Sequence, residues 1–228
     1  FHREDVTHTG PFGSAVYPTT GKQDIQLVKL SADGDTLWHR SVGGLQSDYP
    51  GRVALDPDEN PVLAGIYRRA DLSIQGISLP AYDEYDIFLA KYTASGQNVY
   101  ARRVAYGPDN DNVRQIGIDQ LGNIYMVGDY VDSIYFDSDT LVAELSGYNM
   151  FIAKFNANGD FRWAQNIATT DESGNTKLIE LTIANNTEIY LGGFFLGDLT
   201  IGSSSVSSQG ATEEDMILIK IDSSGSPN

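Results

Sequence analysis

Apolar residues along this chain fall in short runs broken by Gly, Asn, Asp, Ser and Pro, and no stretch sustains the 3.6-residue period of an amphipathic helix. The runs come in pairs. One ends at Leu30, turns through Ser31-Ala-Asp-Gly34 and resumes in a run that carries Trp38; the same order recurs around Asn156-Ala-Asn-Gly159 and Trp163. Gly, Asp and Asn suit such turns because they tolerate positive φ. A second kind of hairpin is clearest where Ile116-Gly-Ile-Asp119 leads through Gly122-Asn123 into Ile124-Tyr-Met-Val-Gly128. Its counterparts end in Val62-Leu-Ala-Gly65 and Ile189-Tyr-Leu-Gly192. Apolar residues stand at consecutive positions in these strands, which predicts antiparallel sheets covered on both faces.

The pattern repeats. Asp24-Ile-Gln-Leu-Val-Lys29 is matched by Asp86-Ile-Phe-Leu-Ala-Lys91, Asn149-Met-Phe-Ile-Ala-Lys154 and Asp215-Met-Ile-Leu-Ile-Lys220, with the lysines 62, 63 and 66 residues apart. Gly34, Gly96, Gly159 and Gly225 each follow their lysine by five positions, and Trp38, Tyr100 and Trp163 follow the first three glycines by four. A shorter element, Ile74-Gln-Gly-Ile-Ser-Leu79, recurs at 136–141 and 201–206, and Phe12-Gly-Ser-Ala-Val16 looks like a further copy. The division that follows is 1–23 as the tail of one repeat, 24–85, 86–148 and 149–214 as three repeats, and 215–228 as the start of another. The expected fold is all-β: a β-propeller-like array of antiparallel four-stranded repeats of about 63 residues. The incomplete end units predict a segment of a longer array. The fixed register of Trp38, Tyr100 and Trp163 predicts a buried core between repeats in preference to sugar stacking.

These units resemble a bacterial β-propeller repeat family of secreted and cell-surface Bacteroidetes proteins. Its Asp-Ile-Phe-Ile-Ala-Lys strand, Asn-Gly turn, Trp-Ala strand and Asp-x-x-Gly-Asn-Ile-Tyr-Val-x-Gly hairpin are matched from Asp86 to Tyr100, Asp119 to Gly128 and Asn149 to Trp163. Asp56-Pro-Asp-Glu-Asn60 and Ala184-Asn-Asn-Thr-Glu188 depart from it at the second turn. The resemblance implies export, a place within a multidomain protein, and no particular activity.

Thirty-one Asp and Glu against 15 Lys and Arg leave a net charge of -16. That surface repels phosphate backbones and anionic lipid, so nucleic acid is a poor partner. No apolar run is long enough to predict membrane insertion by a helix. The chain has no cysteine, which removes disulfides, thiolate metal sites and thiol nucleophiles. It opens at Phe1 without a leader, as expected of a processed protein or a fragment. No catalytic constellation stands out: three histidines and scattered acids define neither a nucleophile–base pair nor a chosen pair of carboxylates. Asp56-x-Asp58-x-Asn60 and Asp137-x-Asp139 have the alternate-oxygen spacing of a calcium loop but lack its Gly and distal Glu, so calcium is the one cofactor considered and none is assigned.

One constellation points to binding. The loop before each second hairpin reads Ser47-Asp-Tyr-Pro-Gly-Arg52, Asp109-Asn-Asp-Asn-Val-Arg114 and Asp171-Glu-Ser-Gly-Asn-Thr-Lys177, acids or amides followed by a cation. If the following strand is the innermost of its blade, Asp48, Tyr49, Arg52, Asp109, Asp111, Arg114, Asp171, Glu172 and Lys177 gather as a polar rim on one face, where propellers bind ligands. The alternative is a set of ion pairs that space the repeats. The function expected is a non-enzymatic extracellular or cell-surface module for adhesion, display or ligand binding, with a carbohydrate-binding propeller as the second reading. Its partners would be other domains or repeats of the parent protein, glycans or surface proteins.

Overall fold

The computed structural model describes residues 21–143, 148–170, 176–184, 187–210 and 213–227. The copy of the short element at Phe12–Val16 lies outside them. Among the described residues there is no helix, and all nineteen strands pair antiparallel within their sheets.

β1 (Ile25–Leu30) and β2 (Thr36–Val42) form a hairpin. β3 (Tyr49–Leu55) and β4 (Pro61–Arg68) follow, then a small hairpin of β5 (Leu72–Ile74) and β6 (Ile77–Leu79), then β7 (Tyr85–Tyr92) and β8 (Asn98–Ala105). The sheet order is β3-β4-β7-β8. The next sheet repeats it: β9 (Asn112–Ile118), β10 (Ile124–Val131), β13 (Tyr148–Phe155) and β14 (Phe161–Thr169), with β11 (Ser133–Tyr135) and β12 (Thr140–Val142) as the small hairpin. The third comprises β15 (Lys177–Ala184), β16 (Glu188–Phe195) and β19 (Asp215–Asp222), with β17 (Asp198–Ile201) and β18 (Ser204–Ser207) between. The sheets are out of phase with the sequence repeat. The positions 85/86 and 148/149 fall inside β7 and β13, so each sequence unit begins at the third strand of a sheet.

Consecutive apolar residues serve two different cores. In β10, Ile124 and Met126 join a core with Val62, Leu89 and Val113, whereas Tyr125 and Val127 join another with Leu181 and Leu191. In β7, Ile87 and Leu89 face the second sheet, whereas Phe88, Ala90 and Tyr92 face Ile25 and Val42 of the first hairpin. The sheets therefore stack face to face.

Each small hairpin belongs structurally to the sheet before it. β17 pairs with the end of β14, and isolated bridges join Gly43 to Ser73 and Tyr106 to Tyr135. It acts as a clasp from one sheet to the next.

A second clasp explains the repeated glycine and aromatic. A Cβ at Gly96 would meet Trp38 Cδ2 at 2.7 Å, one at Gly159 would meet Tyr100 Cε2 at 2.9 Å, and one at Gly225 would meet the Trp163 ring at 3.1 Å. Each ring sits on the turn glycine of the following repeat. Trp38 Nε1 donates to the Ala94 carbonyl (2.9 Å), which also accepts from Lys29 Nζ (3.1 Å); Trp163 Nε1 and Lys154 Nζ share the Ser223 carbonyl (3.2 and 3.0 Å). The rings are half-buried between repeats.

The first strand of every sheet carries a bulge at the same place. Gly51, Arg114 and Ile179 are the extra residues opposite β4, β10 and β16. Gly128 and Gly193 sit across from the bulges, where a Cβ would strike the Asn112 and Lys177 carbonyls. Gly193, one residue beyond the Gly192 expected from the sequence, is thus the counterpart of Gly128.

Two stability measurements test these clasps. Trp163→Ala should cost about 2–3 kcal/mol, below the figure for a fully buried ring, as read from urea midpoints. Gly34 has φ +89°, but a Cβ there would meet nothing within 4 Å, so Gly96→Ala should cost about 1–3 kcal/mol more than Gly34→Ala. Equal costs would mean that the Trp38 ring does not rest on Gly96.

Candidate functional site

The first strands β3, β9 and β15 lie side by side. A Cβ at Gly51, near the start of β3, would strike Val113 near the start of β9; one at Gly117, late in β9, would strike Leu181 and Ile183, late in β15. The three strands therefore run in the same direction, and their starts share one end of the molecule. The start of β7 and the end of β8 lie at that same end, because the strands of each sheet alternate in direction.

At that end Asp48 immediately precedes β3 and Asp111 immediately precedes β9; Thr176 holds the same place before β15. Neither acid stands on a rim. Asp48 is 3% exposed and Asp111 1%. Asp48 accepts a hydrogen bond from the Gly44 amide (2.7 Å). Burial pushes the Asp48 carboxyl up to about 7, against the pull of the Gly44 amide and with a further push from Asp24. Burial raises Asp111 to about 9, helped by Asp86, Asp129 and Asp109.

The other expected residues divide. Tyr49 is partly exposed, its ring 6.1 Å from that of Tyr85. Arg52 is exposed and donates to the Gly51 carbonyl (2.8 Å). Asp109 is exposed in the β8–β9 loop. Asp171 and Glu172 lie outside the described residues. Arg114 and Lys177 come together across the junction of the second and third sheets, where they line a cavity of about 260 Å³ with Asp129, Tyr148 and Thr176. The three cations are not register equivalents. Lys177 is the first residue of its strand, Arg114 is the bulged residue, and Arg52 follows the bulge.

Asp129, which sequence reasoning missed, organises this cavity. It occupies the position held by Ile66 and Phe194 in the other sheets, opposite the first residue of the first strand. A carboxylate in an otherwise apolar strand was the signal that could have found it. Its Oδ1 takes the Arg114 guanidinium in an ion pair. Burial raises the Asp129 carboxyl, and Arg114 and then Lys177 oppose that shift. At the preceding junction the bulge is Gly51 and Val113 packs onto it, so the polar arrangement belongs to the second junction.

A tyrosine cluster stands at the same end. Tyr82, Tyr106 and Tyr135 have ring centroids 4.9 Å (Tyr82–Tyr106) and 5.4 Å (Tyr106–Tyr135) apart, and the Arg103 guanidinium lies 4.1 Å from the Tyr106 centroid. Tyr82 is 56% exposed.

The opposite end consists of hairpin turns, and there the spacing considered for calcium is used otherwise. Asp56 Oδ1 accepts from the Asp58 and Asn60 amides (2.9 and 2.8 Å), and Oδ2 accepts from Asn60 Nδ2 (3.2 Å) and pairs with Lys91 Nζ (2.7 Å). Asp119 caps its own turn in the same way. Asp139 Oδ1 accepts from the Thr140 amide (2.9 Å). Among the described residues no group of three or more His, Asp or Glu is arranged to hold a metal ion, and no helix is long and apolar enough to cross a membrane.

Arg114 and Arg52 are both exposed, but Arg114 pairs with the buried Asp129 whereas Arg52 donates to a backbone carbonyl. Arg114→Ala leaves Asp129 without its guanidinium and should destabilise by about 1–3 kcal/mol. Arg52→Ala should stay within about 0.5 kcal/mol of the parent chain by thermal or urea unfolding.

No protein-family model matches the chain, so the bacterial repeat family noted above gains no support from that side. The chain is similar to an uncharacterised WD repeat-containing protein of Acanthamoeba polyphaga mimivirus, at 24% identity over 212 residues. The match covers 76% of this chain, and the chain spans about 15% of the length of that relative.

Proposed function

We propose that this chain is a segment of a β-propeller that works as a non-enzymatic protein-interaction module. The propeller reading draws on the WD repeat-containing relative and on three successive antiparallel sheets whose first strands lie side by side. The observation that carries the interaction reading is the contrast between the two ends. The turns are built mostly of Asp, Asn, Ser, Thr, Gly and Ala, and the Trp38 and Tyr100 rings there, with Arg40 and Arg102 beside them, are engaged by the following repeat. The other end gathers Tyr49, Tyr82, Tyr106 and Tyr135 with Arg103 and Arg114. Tyr and Arg dominate the energetics of protein interfaces because they bury large area while keeping polar groups satisfied. The cavity around Arg114 and Lys177 adds a place for an acidic side chain of a partner.

The extracellular or cell-surface setting rests on the resemblance to secreted bacterial repeats. A lectin-like role finds less footing, since the Trp38 and Trp163 rings already pack on the following repeat.

A photo-crosslinking amino acid placed at Tyr82, with a second placed at Asp33 on the turn end, tests the reading in the native host. The reading expects a discrete protein adduct from position 82 and none from 33. With the captured partner purified, Tyr82→Ala should weaken its binding by about tenfold or more at an unchanged melting temperature. Equal labelling at both ends would contradict the assignment of the face. Electron microscopy of the full-length parent should show closed rings; an open superhelix would contradict the propeller.

A further inference from the structure

The junction between the first two sheets encloses more acid than its cations neutralise. A parallel bridge joins Tyr85, at the start of β7, to Asn110 in the β8–β9 loop. One residue further on, Asp86 and Asp111 face each other, and both are 1% exposed. Asp86 Oδ2 accepts from the Tyr82 amide (2.7 Å) and pairs with Arg103 (3.6 Å), while its Oδ1 is buried without a hydrogen-bond partner. Asp129, on β10, spends Oδ1 on Arg114 and leaves Oδ2 buried without one. Both oxygens of Asp111 are buried and without a partner. Asp129 and Arg114 line the cavity toward the third sheet, so at this junction Asp86 and Asp111 face the Arg103 guanidinium, and Asp111 is the acid in excess.

The neighbouring junctions show how such a position is satisfied. Asp48, the counterpart of Asp111, takes the Gly44 amide. At the junction between the second and third sheets Asn149 and Thr176 stand in place of Asp86 and Asp111, both buried and both neutral. The fold therefore accepts a neutral pair here, and Asn is the isostere of a protonated Asp.

We propose that Asp86 and Asp111 form a one-proton latch: a single proton, held on Asp111 and donated toward the free oxygen of Asp86, keeps the two sheets together, and its loss loosens their junction. A cation held by the three acids is disfavoured because Arg103 and Arg114 already occupy two of them and no three acids are arranged for a metal among the described residues. The groups that face the latch are Asp86 from β7, Asp129 from β10 and Asp109 from its own loop. Arg103 from β8 and Tyr67 from β4 act on Asp86, and Arg114 from β9 and Lys177 from β15 act on Asp129.

The sign follows from burial. Asp111 is raised from 3.8 to about 9 in the folded chain. The unfolded chain releases this proton near its ordinary value, so between those limits the folded state binds one proton more. The contribution of Asp111 to stability is then full below its ordinary value of 3.8 and is lost as pH rises toward about 9. Between about 7, where Asp48 has titrated, and about 9, Asp111 should lower the folded-to-unfolded ratio about tenfold per pH unit.

Urea unfolding of the 228-residue chain at pH 7.5, 8.5 and 9.5 tests this, set against Asp111→Asn. The parent should lose stability over this range, and the variant should lose far less and exceed the parent most at high pH. Should Asp111→Asn fail to fold, Asp111→Thr copies the junction between the second and third sheets. Carboxyl ¹³C NMR of the parent reads the proton directly: a midpoint well above pH 7 for Asp111 supports the latch, and one below about 5 overturns it. Calcium chloride that stabilises the parent but not the variants would also overturn it, by showing that the pair takes a cation.

Discussion

Both faces of the first and second sheets are buried, so each of these sheets depends on neighbours on two sides. Ile124 and Tyr125 are adjacent in β10, yet each belongs to a different core. A strand of this kind in isolation would expose one whole apolar face to water, and the hydrophobic effect alone makes that arrangement unfavourable. Stacking answers the need but is not directional. Direction comes from the outer clasps, where a ring of one repeat rests on the turn glycine of the next and the small hairpin pairs with the preceding sheet. These contacts set the order of the sheets, and the order brings the first strands side by side.

Much of this was legible in the residues. The lysine–glycine–aromatic register located the hairpins, and consecutive apolar positions foretold two-sided burial. The partners of the repeated features were not legible, because the contacts that explain Gly96 and Trp38 cross from one repeat to the next, and periodicity records a position without its partner. The bulge was also hidden. It adds one residue without a compositional mark, being Gly51, Arg114 or Ile179 in turn, and it displaces the apparent equivalence of Arg52, Arg114 and Lys177. Asp48 and Asp111 read as loop acids because nothing local shows that the following sheet closes over them.

The two ends of the sheets have different chemistry for a related reason. Turns between adjacent strands are short and take Asp and Asn for local hydrogen bonds, which uses up their polar groups. The connections at the other end pass between sheets or around the small hairpins. They carry Tyr82 and Tyr106, with Arg103 from near the end of β8 over the Tyr106 ring. The same end holds the buried acids, so the surface proposed for a partner lies directly over the junctions between sheets.

Coupling between neighbouring repeats is the claim on which the account depends, and a double-mutant cycle on Trp38 and Gly96 measures it. If the ring of one repeat rests on the glycine of the next, Gly96→Ala should cost markedly less in a Trp38→Ala background, with an interaction energy of about 1–2 kcal/mol. Costs that add to within about 0.3–0.5 kcal/mol would show the two residues to be independent, and would contradict the clasp.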